Sequence, residues 1–213
     1  MKDIAIYGAG GFGKEVYLLI QRINQDNPQW NFIGYYDRMY EKGYDNGYGM
    51  VLGGIDDLNA VKRELALVVA MGDSNVTKEI VSKISNENII YPNLIAPSNK
   101  FADMSKTKLG KGNIIQGLCT ISCDVEIGDF NVLNGQISIG HDVKIGNYNS
   151  IMPGVFISGY VTIGDGTLEG VGSIIIPNIK IGDGTRLGAG AVLMTKPKAG
   201  GLYIGNPAKL MKY

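Results

Sequence analysis

Two architectures in series are predicted by this sequence: a small α/β domain over residues 1–95 and an all-β solenoid of short repeats over 96–213. Three observations predict them. The N-terminus reads as strand, glycine turn and amphipathic helix. Ile or Leu stands at fourteen of the fifteen positions spaced by six from Leu109 to Leu193. Glycine is abundant, at 31 of 213 residues, about twice the usual ~7%.

Composition excludes several function classes before any motif is considered. A chain of 213 residues has room for one large domain or two small ones. Lys plus Arg and Asp plus Glu are equal at 20 each, so no basic field exists to hold nucleic acid. No run approaches the roughly 18 apolar residues of a membrane span. The start, MKDIAIYGAGG, enters an apolar strand at once, without the apolar h-region or cleavage site of a secretion signal. The two cysteines, Cys119 and Cys123, are too few for a disulfide framework and suit a reducing compartment. The expectation is a cytoplasmic protein with neither nucleic-acid nor membrane partners.

The first domain opens with DIAIYGAGGFGKEVYLLIQRI, whose helix carries Val16, Leu19, Ile20 and Ile23 on one apolar side. Gly8, Gly10 and Gly13 satisfy G-x-G-x-x-G, with Gly11 at the start of the helix. The first glycine permits the tight turn, the second lets a phosphate approach the backbone, and the third packs helix on strand. Free N–H groups at the helix start, with the helix dipole behind them, favour an anion. A second strand, NFIGYYD, ends at Asp37, where an acid would hydrogen-bond a ribose; a third, LALVVAMGD, ends at Gly72-Asp73. About 95 residues supply one mononucleotide-binding half, whereas a dinucleotide needs two, so length argues against NAD. The domain is therefore Rossmann-like and half-sized. The segment YPNLIAPSNK, with Pro92 and Pro97, reads as the junction.

In the second part, fourteen of the fifteen positions spaced by six from Leu109 are Ile or Leu. Small or β-branched residues recur four positions later, as at Val125, Val143, Val155, Val161 and Thr167. A fixed short repeat of this kind is the signature of a β-helix, whose rungs bury a continuous aliphatic stack. Glycine follows the aliphatic in Ile127-Gly128, Ile145-Gly146, Ile163-Gly164 and Ile181-Gly182, where it is expected to relieve the corner between strands. Glu169 alone breaks the aliphatic column. An unpaired carboxylate there would be unfavourable, so a local bulge is expected, or a partner near a subunit interface.

The repeat resembles the hexapeptide-repeat acyltransferases, which fold as left-handed parallel β-helices with three hexapeptides per coil. The combination with a small front domain is more specific. GAGGFGKEV, GYYD, LGGIDDL, VVAMGDS and NGQISIGHD occur here in the order found in the sugar O- and N-acetyltransferases of the sialic-acid and bacillosamine type. The ending GNPAKLMKY is similar to that family's tail. The resemblance implies a nucleotide-linked amino sugar in the front domain, through Gly8, Gly10, Gly11, Gly13, Asp37, Gly72 and Asp73. It implies acetyl-coenzyme A on the β-helix, a homotrimer with the coenzyme in the cleft between neighbouring helices, and a place in polysaccharide biosynthesis.

His141, the chain's single histidine, is the third residue of the hexapeptide starting at Ile139, so it should project near a corner, away from the aliphatic stack. The family's catalytic histidine occupies this motif position. A histidine is suited to accept a proton near neutral pH, and by resemblance Asp142 would orient its ring. One coil later at the same corner stands Gly159, whose N–H would stabilise charge on the thioester oxygen. One coil earlier stands Cys123, which leaves open a covalent acetyl-enzyme with His141 as its base. Asn134 matches an asparagine of the family motif before the histidine and would contact the acceptor, and Lys196 would meet coenzyme A phosphates, with Lys198 and Lys209 nearby. No zinc-type cluster exists, so no metal is expected. N-acetylation of the amino sugar is the expected activity. O-acetylation of sialic acid or a related sugar, and a non-catalytic nucleotide-sugar-binding protein, stay open.

Overall fold

The structure is a computed structural model that describes residues 1–211; Lys212 and Tyr213, the last residues of the GNPAKLMKY tail, lie outside the described residues. The chain divides into two compact units, one of Met1–Pro97 and one running from Ser98.

The first unit is a five-stranded parallel sheet of order β3-β2-β1-β4-β5, built from β1 (Lys2–Tyr7), β2 (Trp30–Tyr36), β3 (Val51–Gly53), β4 (Leu65–Val69) and β5 (Ile89–Ile90). Its helices are α1 (Gly11–Asp26), α2 (Ile55–Asn59) and α3 (Ser74–Lys83). Both sheet faces are covered, which is why β1 and β4 read as continuous apolar runs rather than alternating ones. Helix α1 packs on β1 and β2 through Val16, Leu19, Ile20 and Ile23, all buried as its periodicity predicts. Ala5, Tyr7, Leu65, Leu67 and Val69 form a core with Leu58 of α2 and Ile80 of α3.

The second unit is a left-handed parallel β-helix of two-residue strands on three faces. The first face stacks Lys100–Phe101, Thr120–Ile121, Ser138–Ile139, Phe156–Ile157, Ile174–Ile175 and Val192–Leu193. The second runs from Lys108–Leu109 to Lys180–Ile181. The third includes Ile114–Ile115, Val132–Leu133, Ser150–Ile151, Leu168–Glu169 and Arg186–Leu187, and closes with Leu202–Ile204 and the antiparallel Lys209–Leu210. Within this unit the first strand is Lys100–Phe101, one strand before the repeat is legible in the sequence. The strands of the first face from Thr120 onward turn their second residue inward, so Ile121, Ile139, Ile157, Ile175 and Leu193 form one buried column in register. On the outer side of the second face, Lys108 and Lys144 lie 3.1 and 3.3 Å from Glu126, and hold its carboxyl below the ordinary range.

Two expectations need correction. The glycines after the aliphatics do not make the corners. Gly128 and Gly146 have ordinary φ, but a Cβ on either would come within 2.6 to 2.7 Å of the carbonyl oxygen of the next coil, at Gly146 and Gly164 respectively. They permit close stacking of coils. The left-handed corner residues come two positions later, and include Phe130 (φ 54°) and Tyr148 (φ 56°). Secondly, Glu169 makes no bulge: Leu168–Glu169 pairs in register with Ser150–Ile151 and Arg186–Leu187.

The Glu169 side chain is instead fully buried in the column between Ile151 and Leu187, and neither carboxyl oxygen has a hydrogen bond of ordinary geometry. Burial pushes it up from 4.5 to about 8, against a weaker opposing pull from the Thr167 side chain and its own backbone. Several other interior polar residues bond to one another, although Asn149 Nδ2 and Ser173 Oγ have no hydrogen-bond partner among the described residues. Asn113 Oδ1 accepts the Asn131 backbone N–H (2.9 Å) and side-chain amide (3.0 Å); Asn131 Oδ1 accepts the Asn149 N–H at 2.9 Å, and Asn149 Oδ1 accepts the Thr167 N–H at 2.7 Å.

A carboxyl with a raised folded-state pKa binds its proton more tightly folded than unfolded. Stability should therefore fall as pH rises from about 4.5 to about 8 and level off above. Glu169→Gln removes this dependence. Urea unfolding at pH 5 and pH 8.5 should show the variant gaining on wild type by roughly 4 kcal/mol across the window. Parallel curves would mean that Glu169 does not titrate there.

Candidate active site

In the first unit the glycine loop is shaped by what a side chain would strike. Gly8 has φ +113°, and a Cβ there would meet Ala70 O at 2.7 Å; a Cβ on Gly13 would collide with the Gly8 carbonyl. Gly10 and Gly11 have open space where a Cβ would stand. Gly10 is the N-cap of α1, no side chain caps that end, and no acid lies in the first turn. The N-terminus of α1 therefore presents N–H groups and the positive end of the helix dipole without a built-in anion. Lys14 adds a cation in the first turn, with Nζ 5.8 Å from the centroid of the Tyr48 ring.

Asp37 and Asp73 are placed beside this loop and at the start of α3, but both are engaged with backbone. Asp37 is buried; its Oδ2 accepts the Ala9 N–H at 2.7 Å, and its Oδ1 accepts the N–H groups of Met39 (2.6 Å) and Tyr40 (3.3 Å). Both carboxylate oxygens of Asp37 thus hold backbone, one of them clamping the glycine loop. Buried Asn46 completes the clamp by donating to the Ala9 carbonyl at 3.0 Å. Sequence reading missed Asn46, because D-N-G reads as a turn and nothing local reveals a contact across 37 residues. Asp73 caps α3, accepting from Asn75 N at 2.8 Å, and Gly72 precedes it with open space around its Cα.

In the second unit His141 and Asp142 occupy the corner between the first and second faces. The strands Ser138–Ile139 and Lys144–Ile145 fix that corner on either side. Asp142 adopts φ 56°, which Asp tolerates better than most residues. Its Oδ2 lies 2.9 Å from His141 Nδ1, with both side chains about half exposed, at 49% and 44%. An ionised carboxylate only accepts, so Nδ1 carries the proton and Nε2 is left with the lone pair. The imidazole leans toward the following coil: a Cβ on Gly159 would come 2.7 Å from Nε2 and 2.8 Å from Cε1. The Gly159 N–H meets no acceptor among the described residues. Tyr160 closes another side, with its ring perpendicular to the imidazole (87°) at a centroid distance of 4.9 Å.

Cys123 lies on the preceding coil, on the side from which the ring leans away; its carbonyl accepts the Asp142 N–H at 3.1 Å. Among the described residues no hydrogen bond joins its thiol to His141. Asn134 stands at the preceding corner, between the third and first faces, and its side-chain amide donates to Ile151 O at 3.1 Å. Lys196 is exposed on the loop after Val192–Leu193. The structure thus gathers His141, Asp142, Gly159 and Tyr160, and leaves Asn134 and Lys196 apart from them. Among the described residues, no group of three or more His, Cys, Asp or Glu side chains is placed to hold a metal ion. No helix among them is long and apolar enough to cross a membrane.

Replacing Asp37 by Asn keeps the shape but turns one acceptor into a donor facing backbone N–H groups. Asp37→Asn should lower the unfolding free energy by about 1–3 kcal/mol in urea titration. An unchanged midpoint would mean that the clamp adds no stability.

Residues 3–84 match the family described as PglD N-terminal domain. No curated protein matches the chain. Among solved structures, PerB from Caulobacter crescentus, in complex with CoA and GDP-perosamine, is 26% identical, with a TM-score of 0.85, covering 100% of this chain and 98% of that one. WeeI from Acinetobacter baumannii AYE is also 26% identical, with a TM-score of 0.86, covering 99% of this chain and 100% of that one. The acetyltransferase domain of PglB from Neisseria gonorrhoeae FA1090 shares the fold at 24% identity and a TM-score of 0.88, covering 99% and 100%. The front domain thus matches the PglD N-terminal domain family, and over its full length the chain is similar to PerB, WeeI and the acetyltransferase domain of PglB.

Proposed function

We propose that this chain moves an acetyl group from acetyl-coenzyme A to the amino group of a nucleotide-linked amino sugar, with His141 as general base. The observation that carries the reading is a lone histidine whose Nδ1 is bound by Asp142 and whose ring lies over a glycine bearing an uncommitted N–H. The full-length likeness to PerB, which binds CoA and GDP-perosamine, supports the substrate classes.

In this mechanism the acceptor amine attacks the thioester carbonyl carbon as Nε2 of His141 takes its proton. Asp142 stabilises the imidazolium that forms. The Gly159 N–H offers a hydrogen bond to the carbonyl oxygen as negative charge builds there. Collapse of the tetrahedral intermediate breaks the carbon–sulfur bond, and the imidazolium returns the proton to the departing thiolate. Direct transfer fits a ring that leans away from Cys123. Lys196 serves the phosphates of coenzyme A, and Asn134 serves the acceptor. In the front domain the diphosphate takes the bare N-terminus of α1 at Gly10 and Gly11. Asp37, Gly72 and Asp73 act there by shaping the surrounding loops.

The protein works as a homotrimer in this reading. Phe156 and Ile174, paired on the first face at 53% and 39% exposure, are apolar surface that packing against a second copy would cover. Light scattering should give three times the chain mass; a monomer at micromolar concentration would remove this part.

The decisive assay follows thiol release from acetyl-coenzyme A with UDP-, GDP- and dTDP-linked 4-amino sugars and with free sialic acid. One amino sugar should turn over, and His141→Ala should lower kcat by about 100-fold or more. Turnover with sialic acid alone would move the reading to O-acetylation. Binding of nucleotide sugars without any thiol release would leave a binding protein.

A further inference from the structure

Tyr160 stands where the backbone disfavours it. At the corner between the first and second faces four successive coils turn through a residue of positive φ: Asp124 (56°), Asp142 (56°), Tyr160 (60°) and Asn178 (64°). Aspartate and asparagine are enriched in this region, since their short polar side chains bond locally, whereas a bulky residue there is uncommon. Three of the four positions follow that rule. Tyr160 departs from it at this corner, as Leu118, Phe130 and Tyr148 do at the other two, and its side chain is 56% exposed.

The ring contact of Tyr160 among the described residues is with His141, at 4.9 Å and 87°. The Tyr160 N–H also donates to the His141 carbonyl at 3.0 Å, so the residue holds the histidine by backbone and side chain together. The imidazole is then bounded on three sides, by the Asp142 carboxylate at Nδ1, the Cα of Gly159 beneath its Nε2–Cε1 edge, and the Tyr160 ring. Without that ring, a half-exposed imidazole on one hydrogen bond is free to rotate about its side-chain torsions. A base that must first be ordered loses rate in the chemical step rather than affinity for substrate.

We propose that Tyr160 is a positioning residue for His141, holding the imidazole in the rotamer in which Nδ1 meets Asp142 before substrates arrive. The rate consequence rests on His141 being the base, whereas the ordering of the ring does not.

The single histidine makes the test direct, since every imidazole signal in the NMR spectrum belongs to His141. Tyr160→Asn removes the ring while keeping the residue type that Asn178 supplies one coil later, so the corner retains its conformation. In the wild-type protein the imidazole should show one tautomer, protonated at Nδ1, and restricted ring motion. In Tyr160→Asn the ring should become mobile and the tautomers mixed. The kcat should fall roughly 10- to 100-fold, with KM for acetyl-coenzyme A changed less than about twofold. Tyr160→Phe, which keeps the ring and drops the hydroxyl, should recover both properties. Unchanged imidazole order in Tyr160→Asn would overturn the proposal whatever the activity. So would a loss of rate accompanied by a matching rise in KM, which would make Tyr160 a substrate-binding group. If His141→Ala retained full activity, the base assignment would fall, and the imidazole spectra would still decide the role of Tyr160.

Discussion

The register of coil on coil is the constraint from which the rest of the β-helix follows. Through the central coils, alternate backbone N–H groups reach the carbonyl 17 residues ahead, as in Ser138 N to Val155 O at 3.0 Å and Gly140 N to Ile157 O at 2.8 Å. A ladder of this kind leaves no freedom to slip by one residue, because a slip would turn the aliphatic column outward. It forces glycine where two coils approach too closely for a Cβ. It also decides which residues meet across coils, and so sets His141 above Cys123 and below Gly159.

A core of fixed width imposes itself equally on polar residues that fall inside. The Asn113, Asn131, Asn149 and Thr167 ladder works because each side chain repeats the bond of the one below it, and the chain's own periodicity supplies the partner. Glu169 has no such partner in its column, where its neighbours are Ile151 and Leu187. A carboxyl in that position is carried in its neutral form, since transferring an unpaired charge to an apolar interior is far less favourable than binding a proton.

Two helices of the first unit treat their N-termini in opposite ways. At α3, Asp73 fills the N-terminus with its own carboxylate. At α1 the cap is a glycine without a side chain, and the nearby carboxylate of Asp37 binds the loop at Ala9 rather than the helix end. The first arrangement satisfies the helix internally. The second leaves donors for an anion from outside, on a loop held rigid from behind by Asp37 and Asn46.

The sequence by itself determined the serial arrangement of the two folds, the aliphatic columns and the glycine loop, because these depend on period and residue type along the chain. It also placed His141 on a corner with Gly159 one coil later, since a fixed period converts number into neighbourhood. Tyr160 was within reach of the same arithmetic, one residue beyond Gly159, but its ring direction is not a matter of counting. The direction of a side chain and the partner of a carboxylate depend on the third dimension. Only the tertiary structure decided that Asp37 clamps Ala9, that Asn46 joins it from a distant loop, and that Glu169 lies in register without a partner. It alone decided that the imidazole leans toward Gly159 and away from Cys123. In each of these cases residues remote in sequence compete for one hydrogen bond or one volume, and the outcome is set by packing.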